Sequence, residues 1–267
     1  YYNPAGLALI KDLSWEIINP AIDVGANTLK TSQTVTQLLQ QSKLSGVSGV
    51  LEAIQPFIGV YQYGGFSLTP YLISKNWGFS IAFKSAIGLL PHNNIALDTK
   101  GEVSVIAPLA FAKSFLKRTL HVGMAVKFLS GGFIDDQFNL DTLALFSSGK
   151  NDSSKKLSDY YTIGWGVGFD AGALVSPKHK WDPSFGLSIS DIGSTSYRQI
   201  SKTTHAPKVR EMSVNTGLSF KPYKKKSSYL LISVDTHSIN QKLHFSKKLN
   251  MGLEYSIRDF FKIQAGL

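Results

Sequence analysis

The extended segments of this chain divide into two rows of side chains, one apolar and one polar, at alternate positions. Within residues 161–175 the apolar row includes Ile163, Val167 and Phe169, whereas Gly164 and Gly168 stand in the other row. Because successive side chains of a β-strand point to opposite faces, each such segment is predicted to be a strand with two different faces. Many strands whose second face is small and hydrophilic are typical of a barrel with an apolar outside and a hydrated inside.

The same alternation recurs along most of the 267 residues and predicts about eleven strands. The rows lie within residues 12–24, 58–72, 77–87, 103–111, 120–128, 161–175, 181–189, 212–220, 230–234, 243–257 and 261–267. Short turns and long loops alternate between them, as in barrels with periplasmic turns and external loops. The prediction is an all-β fold, an antiparallel transmembrane β-barrel with short helices in its loops, formed by a single domain over residues 1–267.

Two connections change to the helical period. Apolar side chains lie at helical spacing in residues 27–41 and again in residues 47–54, which predicts short amphipathic helices after the first strand. Residues 133–159 interrupt the strand pattern later in the chain, and residues 138–146 are predicted to form a helical turn within that loop. Helices in external loops would restrict access to the inside of the barrel.

Bulk composition does not separate a membrane barrel from a soluble protein. The hydrophobic fraction is 43% and the mean hydropathy is -0.01, and alternate lipid-facing residues in a barrel give such values. No stretch approaches the roughly 18 uninterrupted apolar residues of a membrane helix. A soluble β-sandwich also alternates, with its apolar face inward. Its strands are shorter, however, at about 5–6 residues, and its solvated face favours long charged side chains over glycine and serine.

Cysteine content and charge exclude further classes of protein. The chain has no cysteine, which excludes disulfides, thiolate metal sites and thiol catalysis. Its net charge is +10, but the lysines and arginines are scattered among turns, and no basic helical stripe or nucleic-acid motif is present. Nucleic acid is therefore not a predicted partner.

Seven charged or titratable residues stand in the polar rows and are predicted to face the lumen. They are Lys84, His121, Lys127, Asp170, His244, Lys248 and Glu254. One interpretation is a hydrated interior in which opposite charges pair and brace the wall. The other is a lumen field that selects solutes.

A second group of basic residues lies in the short turns, which the barrel prediction places at the periplasmic rim. They are Lys113, Lys117, Arg118, Lys178, Lys180, Lys224, Lys225 and Lys226. These side chains either solvate the rim or form a docking patch for an acidic periplasmic or secreted protein.

The sequence contains no catalytic or metal-binding motif. His121 and His244 are isolated, and Asp135 and Asp136 are placed in a loop as a cap or as solvated acids. A hydrolase needs a positioned nucleophile, a base and an orienting group. A histidine metal site is not predicted either, because His179 and His205 are far apart. We predict no enzyme activity, no metal and no cofactor.

Several short segments resemble one family of membrane proteins. Residues 2–8 (YNPAGLA) are similar to the Asn-Pro-Ala motif near the start of the FadL-like outer-membrane proteins. Residues 185–193 (FGLSISDIG) and 214–222 (VNTGLSFKP) resemble strands of the PorV-like branch, and residues 251–267 resemble its closing hairpin. The helical segment after the first strand is similar to that of TraF-like members.

The resemblance implies a place in the bacterial outer membrane and a barrel of about fourteen strands, with about three of them beyond Leu267. It also implies that the N-terminal segment 1–11 packs in the lumen near the periplasmic mouth through Asn3, Pro4, Ala5 and Gly6. Transporters of this superfamily have an N-terminal hatch before this motif, and almost no residues precede it here. The implied partners are outer-membrane lipid and lipopolysaccharide.

Two functions follow from this interpretation. The first is FadL-like passage of small hydrophobic molecules across the outer membrane. The alternative is a non-transporting, PorV-like barrel with a structural or secretion-associated role, which binds protein partners through its rims. A plugged lumen would favour the alternative, whereas a continuous apolar path or a side opening in the wall would favour transport.

Overall fold

The computed structural model describes residues 3–30, 55–93, 96–139, 160–200, 209–225, 227–242, 244–257 and 261–266. In these ranges the chain forms one antiparallel sheet of fifteen strands, so the predicted all-β antiparallel fold is confirmed. The strands are β1 Ser14–Glu16, β2 Pro20–Val24, β3 Gln62–Leu68, β4 Tyr71–Ser74, β5 Trp77–Ser80, β6 Ala82–Pro91, β7 Ala96–Phe115, β8 Leu120–Asn139, β9 Thr162–Val175, β10 Ser184–Ser190, β11 Arg198–Gln199, β12 Ser213–Lys225, β13 Ser228–Thr236, β14 Leu249–Ile257 and β15 Phe261–Gly266.

The fifteen strands make eleven passes across the sheet, because some consecutive strands share one pass. β1 pairs with β4 while β2 pairs with β3, and β5 and β6 both pair with β7. β10 and β11 together form one pass, because both pair with β9. The strands at the two edges, β1 with β2 and β15, do not pair with each other, so the sheet is open over the described residues.

Each of the first three passes is interrupted once, and the interruptions lie next to one another across the sheet, which forms the wall of the barrel. A proline lies at or beside each interruption. Pro20 begins β2, Pro70 separates β3 from β4, and Pro108 of β7 falls between the parts paired with β6 and with β5. Proline has no N–H and cannot donate to a ladder. The wall stays connected at this level through single bonds such as Ile81 N–H to the Pro70 carbonyl, at 3.0 Å.

The two faces of the sheet are opposite in character to those of a soluble protein. On β8 the apolar row Val122, Met124, Val126 and Phe128 is exposed, whereas His121, Gly123, Ala125 and Lys127 are buried. Met124 is 66% exposed and Lys127 only 9%. We call the row containing Met124 the outer face and the row containing Lys127 the inner face. A sandwich with an apolar face inward is therefore contradicted.

Two helical elements differ from the predicted pattern or lie outside the described residues. A helix begins at Ala26 and is described as far as Lys30, whereas the rest of the predicted helix 27–41 and all of 47–54 lie outside. The predicted helical turn 138–146 is wrong at Phe138 and Asn139, which belong to β8. Residues 140–146 of that turn lie outside the described residues. None of the helices among the described residues is long and apolar enough to cross a membrane.

The positions of three residues differ from the prediction for physical reasons. Asp135 and Asp136 lie on β8 and not in a loop, because the ladder with β7 continues to Asn139 and Lys100 forms a 3.6 Å ion pair with Asp135. His244 is not on a strand. A 3-10 turn over Phe245–Lys247 follows it, and β14 begins only at Leu249.

Candidate functional site

The N-terminal segment lies on the inner face and is fixed there by Asn3. A 3-10 turn runs over Pro4–Leu9, and the Asn3 Oδ1 accepts a hydrogen bond of 2.9 Å from the Ala5 N–H. The Asn3 Nδ2 donates to the carbonyls of Ala173 (3.0 Å) and Leu187 (3.2 Å), which face each other on β9 and β10. We call this segment, residues 3–9, the plug. The side-chain amide of Asn3 therefore ties the plug to two strands.

Glycines in the wall make room for the plug. A Cβ atom at Gly123 would lie 2.5 Å from the Ala5 nitrogen and the Pro4 carbonyl carbon, and one at Gly172 would overlap the Asn3 side chain. Both contacts are closer than real Cβ atoms allow. Pro4 and Ala5 are buried, whereas a Cβ at Gly6 would meet no atom within 4 Å.

An apolar contact completes the seat of the plug. Leu7 is 5% exposed and packs with Ala110 and Ala112 of β7 and Ala125 of β8. Small side chains at these wall positions let the backbone of the plug approach the sheet. The plug is therefore held both by hydrogen bonds and by a small apolar core.

A second segment, the bulge between β10 and β11, also turns onto the inner face. Ile189 lies opposite Ala171 and Arg198 opposite Trp165. Eight residues (190–197) therefore face five (166–170), and three are extra. Asp191 and Ser194 have positive φ, and so does Gly193, which lets the chain turn sharply. The bulge places Thr195 inward, where it is 3% exposed.

An ionic cluster joins the bulge to the wall. The Lys127 Nζ lies 2.7 Å from the Asp170 Oδ1 and 3.0 Å from the Asp191 Oδ1. The Asp191 N–H donates to the Asp170 Oδ1 at 2.8 Å, and the Thr195 hydroxyl donates to the Asp191 Oδ1 at 2.8 Å. All three charged side chains are close to nine-tenths buried. We call Lys127, Asp170, Asp191 and Thr195 the ionic cluster.

Two further contacts hold the bulge against the wall. Arg210 exchanges backbone hydrogen bonds of 2.8 and 2.9 Å with Thr195, and its Nε is 3.7 Å from the Asp191 Oδ2. A Cβ at Gly168 would lie 2.6 Å from the Thr195 Oγ1. Sequence reasoning named Lys127 and Asp170 but missed Asp191, Thr195 and Arg210. The only signal for them was the Asp-x-Gly turn that begins at Asp191.

The other predicted lumen residues form local pairs. Lys84 is 49% exposed and lies 3.7 Å from the Glu102 carboxylate. Glu254 accepts hydrogen bonds of 2.6 Å from the Tyr229 hydroxyl and from the Gln264 amide. The predicted group is thus divided between the ionic cluster and separate pairs along the inner face.

Lys248 and the two histidines complete the predicted group. The Lys248 Nζ donates to the Gln241 carbonyl at 2.6 Å and so stabilises a loop, while His244 is exposed. His121 is 1% exposed, with its Nδ1 2.8 Å from the Ser114 hydroxyl and its Nε2 without a hydrogen-bond partner in the described structure. A catalytic base needs a third, orienting group. Through side chains, the described structure pairs His121 with Ser114 alone.

A cavity with a mixed lining lies beside the bulge. It measures about 870 Å³, and charged side chains of both signs line it, among them Lys84, Glu102 and Arg210. Apolar and aromatic side chains line it as well, among them Ile106, Phe133 and Val209. Among the residues that the structure describes, no three His, Cys, Asp or Glu side chains are close enough to hold a metal ion.

The basic turn residues lie at one end of the sheet but have different surroundings. Lys117, Arg118 and Lys178 are exposed, and Lys226 lies outside the described residues. Lys224 forms an ion pair with Asp182. The remaining three lie over aromatic rings. The Nζ atoms of Lys113, Lys180 and Lys225 are 5.8, 5.1 and 5.6 Å from the ring centres of Phe115, Trp181 and Tyr223, respectively.

The exposed outer face decides the class of the protein. Strands β7, β9, β12 and β14 repeat the arrangement of β8, with large apolar side chains such as Phe111, Phe169, Leu218 and Met251 about half exposed. A sheet can present such a surface to lipid, where every backbone group is satisfied by the ladder. The chain folds as a transmembrane β-barrel sheet of the bacterial outer-membrane type.

Comparison with known proteins adds little to this geometry. No protein-family model and no curated protein matches the sequence. Among solved structures, the chain is similar to the translocator domain of the autotransporter NalP from Neisseria meningitidis, with 10% identity and a TM-score of 0.35 over 86% of this chain and 87% of that chain. Because this similarity is weak, the class of the protein depends on the geometry above. The resemblance to the FadL-like and PorV-like proteins stays a prediction.

Proposed function

We propose that the protein is a plugged, non-conducting barrel of the bacterial outer membrane with a structural or secretion-associated role. The observation that carries this proposal is the Asn3 clamp. Its side chain accepts from the Ala5 N–H and donates to the Ala173 and Leu187 carbonyls, so the plug is built into the wall and does not lie loosely in the lumen. A gate that opened often would have to break these bonds and expose Leu7.

The bulge supports the same proposal. It covers Gly166 and Gly168 of β9 from inside, and the Lys127 ion pairs hold it there. Removing such buried charges from their partners is costly, so the bulge is a fixed part of the lumen. Charged side chains such as Lys84, Glu102 and Arg210 interrupt the apolar lining of the cavity beside it, which disfavours passage of a hydrophobic solute. The exposed basic turns Lys117, Arg118 and Lys178 then serve as the surface for an acidic protein partner.

A second candidate function is FadL-like passage of small hydrophobic molecules. The observation that favours it is the row of breaks at Pro20, Pro70 and Ile81, beside Pro108 of β7, where three neighbouring passes of the wall lose ladder hydrogen bonds. A wall that is weak at one level could let an apolar molecule pass sideways into lipid without crossing the plug. Such passage would be electrically silent, and conductance alone does not test it.

The test is single-channel conductance of the full chain in planar bilayers, combined with uptake of a hydrophobic fluorophore by vesicles. We expect the wild-type protein to be electrically silent and uptake to equal that of empty vesicles. Gly123→Val should displace the plug, because the new side chain would overlap Pro4 and Ala5, and overpacking of this kind costs about 1–3 kcal/mol. The variant should therefore show conductance steps that the wild-type protein lacks.

The matched control is Gly64→Val, at a wall position where an added Cβ meets no atom within 4 Å. It should stay silent. Steady conductance of the wild-type protein would contradict the plugged barrel. Uptake above the vesicle background without conductance would support the second candidate in place of the first.

A further inference from the structure

Four lysines at the short-turn end of the sheet each lie over an aromatic ring. One of them, Lys221, lies 4.7 Å from the centre of the Tyr229 ring and also within 3.9 Å of the Asp182 carboxylate, which distinguishes it from the other three. The Lys113 Nζ is 5.8 Å from the centre of the Phe115 ring. The Lys180 Nζ is 5.1 Å from the centre of the Trp181 ring, and the Lys225 Nζ is 5.6 Å from the centre of the Tyr223 ring. The three pairs belong to β7, to the β9–β10 turn and to β12, so the same arrangement repeats along the margin of the sheet.

Two of these pairs belong to the outer face. Lys113 and Phe115 alternate with Ala112, which is buried under Leu7, and Lys113 shares the exposed row of Phe111. Tyr223 pairs with Leu230 of β13, and Leu230 pairs with Tyr255 of β14. Tyr255 belongs to the exposed row of β14, so Tyr223 is also on the outer face. Lys225 and Ser228 are paired one position further along the same row. The third pair stands in a turn, where Trp181 is half exposed.

The charges of the three lysines are not used inside the described structure. Asp182, the acidic residue of the β9–β10 turn, is within reach of Lys221 and Lys224 and pairs with those. None of the ion pairs among the described residues includes Lys113, Lys180 or Lys225. Each amine is therefore a free cation held beside an apolar ring at the edge of the lipid-facing surface.

We propose that these three lysine–aromatic pairs bind the phosphate groups of anionic phospholipids in the leaflet on the short-turn side. Aromatic rings favour the boundary between hydrocarbon and headgroups, and a lysine beside one extends its amine to the headgroup layer. The cation then attracts phosphate across a short distance in a medium of low screening. The pairs fix which end of the barrel meets an anionic leaflet.

The position of Lys113 favours a lipid over an acidic protein as the occupant. This residue lies two positions inside the end of β7, on a row that continues into the exposed apolar surface. A lipid headgroup reaches such a position from the side, whereas a soluble protein would have to displace lipid from Phe111 and Phe115. The exposed turn residues Lys117 and Lys178 do not have this constraint.

The experiment measures which lipid surrounds the barrel. The full chain is reconstituted into vesicles of phosphatidylcholine and phosphatidylglycerol, with bromine first on the phosphatidylglycerol and then on the phosphatidylcholine. Bromine quenches tryptophan fluorescence, so the two measurements give the relative binding of phosphatidylglycerol and phosphatidylcholine. Trp77 and Trp181 lie at the short-turn end and report on that leaflet. A lysine near an anionic surface contributes a factor of about five in binding. We expect preferential binding of phosphatidylglycerol that Lys113→Gln, Lys180→Gln and Lys225→Gln together abolish.

The matched control removes three other cations at the same end. Lys117→Gln, Arg118→Gln and Lys178→Gln change the net charge equally but affect no lysine–aromatic pair, and the preference should stay within a factor of two of the wild-type value. Raising the salt concentration should weaken the wild-type preference, which tests the proposal even if the triple lysine variant does not fold. Equal binding of both lipids by the wild-type protein would overturn the proposal. An equal loss in both triple variants would overturn the assignment to these pairs. Polyglutamate, a soluble acidic polymer, serves as the probe for an acidic protein, and binding of polyglutamate that only the lysine–aromatic variant loses would also overturn it.

Discussion

Lys127→Met should cost the protein about 3–5 kcal/mol of unfolding free energy, the largest effect that we expect from any single substitution. The variant removes the cation that lies between Asp170 and Asp191 and leaves two nearly buried carboxylates close together. Methionine preserves the length and the apolar stem of lysine, so the loss reports the charge and not a cavity. Reversible urea unfolding in lipid vesicles, followed by tryptophan fluorescence, measures it.

Two further variants show whether this cost comes from the ionic cluster. Lys84→Met breaks a pair that is 3.7 Å long and half exposed on the lysine side, and such pairs contribute at most about 1 kcal/mol. Adding Asp191→Asn to Lys127→Met removes one of the two opposed carboxylates and should recover part of the lost stability. If Lys127→Met and Lys84→Met cost the same, the cluster is hydrated and does not hold the bulge.

Met124→Lys should destabilise the protein by about 2–4 kcal/mol in a lipid bilayer, because it places a charge on the lipid-facing row. Met124 is 66% exposed and lies between Val122 and Val126 on the outer face of β8. In a soluble protein, an exposed methionine would accept lysine with a change within about 0.5 kcal/mol. The same unfolding measurement in vesicles therefore separates the two environments.

Leu116→Lys is the matched control for that prediction. Leu116 is 72% exposed, but it lies in the turn Leu116–Arg118 between β7 and β8, beyond the ends of both strands. Lysine at this position reaches water, so the cost should be small in vesicles as well. A loss at Leu116 as large as that at Met124 would show that exposure itself, and not contact with lipid, determines the cost.

The alternation of side chains was enough to predict the fold and its two faces. It indicated about eleven strands, and the eleven passes of the sheet agree with that number because each of four passes is divided into two strands without ending. It did not predict the full length of β8. Ser130 and Gly132 interrupt the apolar row after Phe128, yet the ladder with β7 continues to Asn139 because backbone pairing does not depend on the side chains there.

The ionic cluster could be predicted only in part. Lys127 and Asp170 stand in polar rows, and opposite charges on one face are expected to pair. The contribution of Asp191 depends on three extra residues that turn the bulge inward, and the direction of that turn is set by contacts with β9 that are distant in sequence. His244 was misplaced for a related reason. Lys247 interrupts the row of the predicted strand, and the chain uses that interruption for a 3-10 turn.

Nitroxide labels placed singly at positions 122–128 of β8 would test the orientation of the sheet most directly. The chain has no cysteine, so each labelled variant carries one reactive thiol. In lipid vesicles we expect labels replacing Val122, Met124, Val126 and Phe128 to collide often with oxygen, which concentrates in the bilayer, and rarely with a water-soluble nickel complex. A label at Gly123 would displace the plug and one at Lys127 would break the ionic cluster, but labels at Gly123, Ala125 and Lys127 would all still face the interior. They should therefore show low oxygen accessibility, with a period of two residues between the groups. The reverse phase, or equal access of the nickel complex to both groups, would contradict a lipid-facing outer row and with it the transmembrane barrel.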